Sequence, residues 1–400
     1  MACEQVTLQD VCELIVDCPH TSAKDEGVGY PLIRTPNVGR GRLILTDVHR
    51  VSQDVYERRV SRAVPRQGDL ILAREAPAGN VAIVSPGIEV CLGQRTMLLR
   101  PDSSFVVPEY LNYYLNAPEQ RDRMLRLANG ATVSHINVAD IRNMPVQLPS
   151  RGEQSKVAEL LNVLDDKIDL NNRLNDYLEQ LCQSLFNRFD NDENNPFVKV
   201  SDIADVNPRR TLKKEKRLFA SKWPICPQQG HFLRIGATKA YNGGVKFVNG
   251  DTILARITPC LENGKAGYIN FLEQDEVAFG STEYIVLTSK GELPSEFFYF
   301  LARNEDFISY ATAHMNGSSG RQRVSGSDVG NYEVRMPSEK QISEFRKIAG
   351  NAMRVISASS IESRKLAQLR DALLPKLMSG EIDASKVELT QLTNNHLADY

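Results

Sequence analysis

Two glycine-containing segments carry the side chains best suited to reading the edges of DNA bases. RTPNVGRGR places three arginines and an asparagine near glycines, and SSGRQRVSG places two arginines around a glutamine. Arginine can form two hydrogen bonds with guanine, and asparagine or glutamine can form two with adenine. Loops of this composition could therefore bind DNA through its major groove. The candidates in these two segments are Arg34, Asn37, Arg40, Arg42, Arg321, Gln322 and Arg323.

Further candidates lie at the ends of two nearly identical stretches and in loops nearby. The set is Arg74, Thr132, His135, Arg234, Lys239 and Arg256. Duplicated arginines can be fixed by the fold alone, and a loop histidine is more often solvent-facing or an ordinary hydrogen-bonding residue. DNA contact and structural support therefore both remain open for the arginines, and the structural interpretation is favoured for His135.

The sequence lacks the motifs of common catalytic sites. It contains no G-x-x-x-x-G-K-[ST], H-E-x-x-H or G-x-S-x-G, and no G-x-G-x-x-G after a strand. NPRR at Asn207 lacks the second proline of the Asn/Asp-Pro-Pro-aromatic loop of amino-methyltransferases. The six histidines show no ligand spacing, and the seven scattered cysteines contain no C-x-x-C. We expect reduced packing cysteines, and neither a catalytic site nor a metal or cofactor in this chain.

Composition and charge narrow the class of protein. The chain of 400 residues is 42% hydrophobic and 24% charged, which are ordinary globular values. No apolar stretch approaches the roughly 18 residues that cross a bilayer, and the N-terminus lacks a signal-peptide pattern. The sequence therefore predicts a soluble, cytoplasmic protein. The net charge of −2 alone argues mildly against a nucleic-acid partner.

The chain contains an internal duplication. GDLILAREA at Gly68 and GDTILARIT at Gly250 are identical at six of nine positions. The similarity extends to LQDVCELI and VSDIADVN, to YPLIRTPNVG and HFLRIGATKA, and to VPEYLNYYLNAPE and LPSEFFYFLARNE. Each copy combines apolar strands, entered through a Gly-Asp turn, with one or two helices. The duplication predicts two related α+β globular domains.

A long helix is predicted after each copy. Ser150 with Glu153, and Ser338 with Gln341, fit the capping box that begins a helix. Apolar residues then recur at steps of three and four, as in a coiled-coil seam. In the first helix they are Val157, Leu161, Leu164, Ile168, Leu174, Leu178, Leu181 and Leu185, with a break around Asn171; in the second they are Phe345, Ala352, Ser359, Leu366 and Leu373, flanked by Ile342, Ala349 and Ile356.

These patterns predict an α+β fold of two duplicated globular domains separated by two long antiparallel helices, related by a pseudo-two-fold. The helices form a coiled coil in this prediction. The alternative is that each helix packs only on its own domain. Pro375 is expected to kink or end the second helix before a weakly structured tail. The predicted parts are the first globular domain (1–149), a central helix (150–195), the second globular domain (196–337), a distal helix (338–378) and a tail (379–400).

The chain resembles the specificity subunits of type I restriction-modification enzymes over nearly its whole length. The most specific similarities are VLDDKIDLNNRLNDYLEQLCQSLFNRF and LRDALLPKLMSGEI, which look like the central and distal spacer regions of that family. IRNMPVQLPSRGEQ and VRMPSEKQ look like the exits from its target-recognition domains into the helices.

The resemblance implies a non-catalytic subunit whose two domains each read half of a split target in double-stranded DNA. Two modification subunits would dock on the coiled coil and methylate adenine at N6 with S-adenosylmethionine. Up to two motor-nuclease subunits, using ATP and Mg²⁺, would join them. The helices would separate the domains by about 50 Å, which is about fifteen base pairs.

Other functions remain open from sequence alone. A related methylation-only or phage-defence system would use a similar recognition subunit, and its neighbouring genes would distinguish it. A coiled-coil scaffold for protein interactions is a further alternative, as is an enzyme with an unrecognised catalytic motif. Exchange of one globular domain separates the scaffold from a DNA reader, and methyl transfer by the purified chain would identify an enzyme.

Overall fold

The computed structural model of this chain describes residues 4–75, 78–128, 135–211, 218–221, 238–239, 241, 243–291, 293–318 and 320–387. The chain divides into two compact units. The first unit is Met1–Asp166 with Leu366–Tyr400, and the second unit is Lys167–Lys365. No helix in the described ranges combines the length and apolarity that a membrane-spanning segment needs.

The first unit is a mixture of short strands and helices. Its elements are β1 (Glu4–Thr7), β2 (Cys12–Asp17), β3 (Tyr30–Ile33), β4 (Gly41–Arg42), β5 (Arg50–Val51), α1 (Gln53–Arg59), β6 (Leu70–Ala73), β7 (Val81–Ile83), β8 (Cys91–Leu92), β9 (Thr96–Pro101), α2 (Pro108–Asn116), α3 (Pro118–Leu127), α4 (Val138–Arg142) and β10 (Pro145–Leu148). They form a sheet of order β2-β9-β6-β7-β4, a second of order β5-β3-β8, and the pair β1-β10.

The long helix α5 (Arg151–Asp190) leads into the second unit. The elements that follow are β11 (Phe197–Lys199), α6 (Val200–Ile203), β12 (Ala204–Val206), β13 (Leu218–Ser221), β14 (Thr238–Lys239), β15 (Lys246–Phe247), β16 (Thr252–Ala255), β17 (Ala266–Tyr268), β18 (Ala278–Gly280), β19 (Tyr284–Ser289), α7 (Glu296–Ala302), α8 (Glu305–Ala313), α9 (Gly326–Asn331), β20 (Glu333–Arg335) and the long helix α10 (Glu339–Met378). Their sheets are β12-β19-β16-β17, β14-β13-β18-β15 and β11-β20.

The central strands β6 and β16 occupy the same place in their units, which confirms the predicted duplication. Each is hydrogen-bonded antiparallel to two neighbours, β7 and β9 in the first unit and β17 and β19 in the second. Successive side chains on a strand point to opposite faces. Accordingly, Leu70 and Leu72 pack with the core that includes α2, whereas Ile71 and Ala73 pack in a separate cluster. Burial on both faces explains the continuous apolar run LILA.

The repeated Gly-Asp turn has a structural cause in both units. The glycine has a φ of 85° before β6 and 89° before β16, in the left-handed region that favours glycine. The aspartate that follows is buried in each unit. Asp69 accepts two hydrogen bonds from Arg100, at 2.9 and 2.8 Å. Asp251 accepts from Arg210 and from Thr288. The Gly-Asp pair is therefore required by the turn rather than by a partner molecule.

One segment of the predicted repeat alignment is wrong. In the first unit β3 lies parallel to β8, and in the second unit β13 lies parallel to β18. The structural equivalent of residues 30–33 is therefore 218–221. The sequence alignment had matched residues 30–39 to 231–240, most of which lie outside the described residues. Strand pairing is a long-range property, and short apolar stretches do not reveal it.

Both predicted capping boxes are present at the start of the long helices. The Ser150 N–H donates to Glu153 Oε2 at 2.9 Å, and the Ser338 N–H donates to Gln341 Oε1 at 2.8 Å. The serine hydroxyls accept in return from the backbone N–H groups of the same two residues. These bonds satisfy N–H groups that a helix start otherwise leaves unpaired.

The two long helices pack against each other within each unit, as predicted. In the first unit Leu161 of α5 and Leu377 of α10 belong to one buried core. In the second unit Asn175 Oδ1 accepts from Ser359 Oγ at 2.6 Å, while Arg188 pairs with Glu344 at 3.2 Å. From the first contact to the second, the residue number rises along α5 and falls along α10. The two helices therefore run antiparallel in the second unit.

The predicted seam of α5 is half right in the second unit, because Leu178 and Leu185 pack against its core as expected. Leu174 and Leu181 are exposed, whereas Asn171, Asn175 and Glu179 are buried. At the break in the apolar spacing, the side chain of Asn171 donates to Glu362 Oε2 at 2.7 Å and to the Ser359 carbonyl at 3.3 Å. The sequence prediction assigned only leucines to this part of the seam. In the structure, the asparagine side chains of α5 also lie there and contact small and polar residues of α10.

The helix α10 ends at Met378, the last residue of the predicted distal helix, but Pro375 and the residues after the helix differ from expectation. The helix continues through Pro375 to Met378, although proline has no N–H to donate to the preceding turn. The Pro375 carbonyl still accepts from the Ser379 N–H at 3.0 Å. Residues 379–387 are not weakly structured: Ile382, Ala384 and Val387 pack against the core of the first unit. Residues 388–400 lie outside the described part of the chain.

Candidate nucleic-acid interface

The segment RTPNVGRGR forms a tight hairpin in which only one predicted contact residue is freely exposed. Asn37 is buried; its Oδ1 accepts from the Arg34 N–H at 3.2 Å and its Nδ2 donates to the Ile44 carbonyl at 3.1 Å. Arg42 pairs with Asp166 at 2.5 Å. Arg34 is half-buried, and Arg40 is exposed at the turn. Asn37 therefore has a structural role, and the prediction that it contacts DNA is revised.

Arg74 supports the fold of the first unit. Its Nη1 donates to Asp17 Oδ1 at 2.6 Å, and its Nε donates to the Ile136 carbonyl at 2.9 Å. The side chain is only 13% exposed. A guanidinium whose donors are paired inside the protein is poorly available to a duplex. Of the two interpretations left open for Arg74, the structure favours the structural one.

Arg256 has the same backbone position as Arg74 but a different side-chain environment. The backbone N–H of Arg74 donates to the carbonyl just before β9, and that of Arg256 donates to the carbonyl just before β19. The carbonyl of each arginine accepts from a backbone N–H just before a short helix, α4 for Arg74 and α9 for Arg256. The register of the sheets makes Pro208 the equivalent of Asp17, so this position offers no carboxylate to Arg256. Arg256 Nε is buried, and no described residue accepts a hydrogen bond from it.

In the loop around SSGRQRVSG, Arg321 is exposed and Arg323 is bound to a carboxylate of the same unit. Arg323 makes two hydrogen bonds to Glu283, at 2.8 and 2.7 Å, and this pairing holds the pKa of Glu283 below its ordinary value. Arg323 also pairs through its backbone with Asn316, which closes the loop. Arg321 lies at the tip and is exposed, with Gln322 beside it half-buried. Arg321 and Gln322 remain the available groups of this loop.

The other predicted residues are only partly described. Thr132 and Arg234 lie outside the described residues, and Lys239 is described only as a backbone position in β14. His135 is half-buried, and its Nε2 lies 3.1 Å from Asn137 Oδ1. This contact agrees with the structural interpretation of His135.

Two basic regions were not predicted as contacts. One contains Arg121 on α3, whose helix sequence PEQRDRMLRL carries three arginines. The other is an open cavity of about 380 Å³ in the second unit, lined in part by Arg209, Tyr241 and Lys246. Lys246 Nζ lies 5.1 Å from the centre of the Tyr241 ring. The arginines of α3 could have been found from the sequence, because they lie within one short helix. The cavity could not, because its lining residues are far apart in the sequence.

The described cysteines lie inside the two units: Cys12 is half-buried, and Cys18, Cys91, Cys182 and Cys260 are buried. Burial raises the pKa of Cys91 to about 11 and that of Cys182 to about 12, so both thiols stay protonated at neutral pH. A protonated, buried thiol is a weak nucleophile and a poor metal ligand. These two cysteines therefore act as small apolar side chains.

Comparison with known proteins gives one consistent result. The chain matches the type I restriction modification DNA specificity domain twice, over residues 2–180 and 192–369. It is 22% identical to the type I restriction enzyme MjaIX specificity subunit of Methanocaldococcus jannaschii, over 84% of this chain and 83% of that one. It is 19% identical to the HindI specificity subunit of Haemophilus influenzae, over 79% of this chain and 87% of that one.

A solved structure has the same fold. The S subunit of a type I restriction-modification system from M. genitalium superposes with a TM-score of 0.57 at 17% identity, covering 94% of this chain and 96% of that one. Together with the double match to the specificity domain, the duplicated units and the paired long helices place the chain in a single family. The chain belongs to the family of DNA specificity subunits of type I restriction-modification systems.

Proposed function

We propose that this chain gives a type I restriction-modification complex its target sequence, with each globular domain reading one half of a bipartite site. The observation that carries the proposal is that one fold occurs twice with different surface side chains. The helices α3 and α8 illustrate this: α3 carries three arginines, whereas its counterpart α8 contains neither arginine nor lysine. Two readers that share a fold and differ in their surfaces would select two unrelated half-sites.

The exposed groups suited to base or phosphate contact differ between the two domains. In the first domain Arg40 lies exposed on its hairpin, and in the second Arg321 lies at a loop tip with Gln322 beside it. Arginine and glutamine at such positions can read guanine and adenine in the major groove. We therefore assign Arg321 and Gln322 as leading candidates for base contact, and Arg40 for contact with a base or a phosphate. Arg256 joins them, because no described residue accepts a hydrogen bond from its Nε.

Chemistry would be supplied by partner subunits. Two modification subunits carrying S-adenosylmethionine would methylate adenine at N6, and up to two motor-nuclease subunits would use ATP and Mg²⁺. The long helices would fix the spacing between the half-sites. The chain itself would contribute recognition and assembly.

Sequencing of methylated bases in a host that expresses this chain with its modification subunits tests the proposal. We expect one asymmetric motif made of two specified parts with an unspecified gap of fixed length. A methylated motif without a gap, or no sequence preference in the assembled complex, would contradict the proposed function.

A stripe of apolar side chains on α5 is the proposed docking site for a modification subunit. Leu170, Leu174, Tyr177 and Leu181 recur at steps of four and three, so they share one face of the helix. They are 61%, 41%, 69% and 50% exposed, although α5 buries a different face against α10 in the second unit. Exposed apolar side chains arranged in this way usually mark a protein interface. An amphipathic helix of the partner would fit this stripe through its own apolar face.

Replacing Leu174 and Leu181 with glutamate is expected to weaken binding of the modification subunit by at least about tenfold, because two charges would be buried in the interface. Titration of the purified subunit against the variant chain measures the loss. Gln180→Glu adds a charge to an exposed position of the same helix outside the stripe, and should leave affinity nearly unchanged. Equal binding by the double variant and the normal chain would remove this docking site.

A further inference from the structure

The exposed hairpin of the first unit is held by one backbone hydrogen bond across its turn and by two asparagine side chains. The Gly39 N–H donates to the Arg42 carbonyl at 3.1 Å across the turn. Asn112 of α2 donates to the Gly41 carbonyl at 2.9 Å, and Asn80 donates to the Val38 carbonyl at 3.0 Å. Arg40 therefore projects from a fixed backbone. In the described part of the chain Arg40 forms no ion pair with a carboxylate.

A second guanidinium is held beside this hairpin by the same asparagine. Arg121 Nη2 donates to Asn80 Oδ1 at 3.1 Å, so Asn80 links α3 to the hairpin that carries Arg40. Arg121 Nε is buried and lacks an acceptor among the described residues. Burial, followed by the positive charge of Arg40, lowers the pKa of Arg121, and the nearby Asp122 opposes this effect.

Asn80 bonds both to the hairpin of Arg40 and to Arg121, and the two positive charges are near enough for Arg40 to add to the effect of burial in lowering the pKa of Arg121. An anion bound between the two arginines would offset this repulsion. Bringing like charges together in a partly desolvated place costs free energy unless an opposite charge binds between them. The planar guanidinium forms strong, directed hydrogen bonds with phosphate oxygens, and two such groups can share one phosphate. The arrangement therefore fits a single phosphate group better than a base edge, which offers no full negative charge.

We propose that Arg40 and Arg121 form a phosphate-binding site of the first globular domain, which holds one phosphate of the DNA backbone next to the half-site that this domain reads. The proposal rests on the proposed function. It assigns to this domain a positioning contact that is independent of base sequence. The second domain is built differently, because its corresponding helix α8, EDFISYATA, contains neither arginine nor lysine.

The site predicts a loss of affinity that does not depend on DNA sequence. In the complex assembled with modification subunits, Arg40→Gln and Arg121→Gln should each weaken binding about tenfold, for target and non-target duplexes alike. The slope of log affinity against log salt should fall in magnitude by about 0.9 for the loss of one phosphate contact. The variant with both substitutions should lose no more affinity than either single variant, because both arginines bind the same phosphate.

The control is Arg126→Gln, which removes an exposed arginine from the same helix and should leave the slope unchanged. Arg121→Lys retains a charge and should restore most of the slope, so that unfolding of Arg121→Gln cannot be mistaken for loss of the site. Thermal unfolding of each variant checks folding independently. Slopes of Arg40→Gln and Arg121→Gln equal to that of the normal complex would overturn the inference.

The experiment also separates a DNA phosphate from a free one. Inorganic phosphate added to the full chain should raise its unfolding temperature only weakly, because DNA supplies many further contacts. Strong stabilisation by phosphate that both variants abolish, with unchanged duplex slopes, would assign the site to free phosphate and contradict the proposal. If the normal complex methylates a bipartite motif while these variants behave normally, the inference fails and the proposed function stands. Absence of sequence preference in the normal complex would instead refute the proposed function.

Discussion

Replacement of Arg256 with glutamine is expected to relax recognition of one half of the methylated motif by a factor of about ten to one hundred. A bidentate arginine contact to guanine discriminates by about 1–3 kcal/mol, and glutamine cannot reproduce that pattern. Arg256 is suited to such a contact because, among the described residues, no carboxylate pairs with it as Asp17 pairs with Arg74. The carboxylate of Glu283 accepts two hydrogen bonds from Arg323, which lower its pKa, although it is also close enough for the charge of Arg256 to contribute to that lowering.

The twin position provides the control for this experiment. Arg74→Gln removes the buried pair with Asp17, so we expect a lower midpoint of urea unfolding with little change in motif preference. Arg256→Gln should show the reverse pattern, with a near-normal midpoint and a relaxed second half-site. Methylation rates on duplexes altered in one half-site at a time measure both effects. A normal motif with Arg256→Gln, or a change in the half-site read by the first domain, would contradict this role.

Replacement of Glu179 with alanine is expected to destabilise the second unit by about 3 kcal/mol, the cost of breaking a buried charged pair by removing one partner. Glu179 Oε1 accepts a hydrogen bond from the Tyr299 hydroxyl at 2.6 Å and lies 2.9 Å from Arg303 Nε. Alanine would leave a buried hydroxyl and a partly buried guanidinium without their acceptor. Chemical unfolding, followed by a probe of the second unit, measures the loss.

Two variants sharpen the result. Glu179→Gln keeps an oxygen that can accept from Tyr299 and should lose less stability than alanine. Glu159→Ala removes an exposed carboxylate from the same helix and should change stability by about 0.5 kcal/mol or less. If Glu179→Ala and Glu159→Ala unfold at the same urea concentration, the contact between α5 and Tyr299 contributes little to holding the second unit together.

The first unit contains a related arrangement built from different residues. The Tyr113 hydroxyl donates to Asp165 Oδ2 at 2.7 Å, and Arg370 of α10 donates to Asp165 Oδ1 at 2.6 Å. Burial, followed by the charge of Asp165, raises the pKa of Tyr113, so the hydroxyl remains a donor at any physiological pH. In both units a tyrosine of the globular part thus binds a carboxylate of α5. These bonds orient each globular part against its own stretch of helix.

Local signals in the sequence predicted much of the fold. The two capping boxes and the Gly-Asp turns depend on residues at most a few positions apart, and the structure contains all of them. The α5 seam was harder to predict because polar pairs, such as Asn175 with Ser359, replace apolar contacts there. Their partners lie on another helix, far away in the sequence.

The candidate site was predicted less completely for the same reason. Whether an arginine is free depends on which carboxylate lies next to it, and Asp17 is remote from Arg74 in the sequence. Asn37 looked like a base reader by residue type, yet its amide completes the backbone of its own hairpin. Residue type indicated the chemistry of DNA contact, whereas tertiary structure decided which side chains are available for it.

The measurement that tests the central claim most directly is an exchange of the first globular domain. Residues 1–149 would be replaced by the equivalent domain of another specificity subunit, and the motif methylated by the assembled complex would be sequenced. We expect one half of the motif to change to that of the donor, while the other half is retained. A motif that is unchanged, or one that changes in both halves, would contradict the account of two independent readers in one chain.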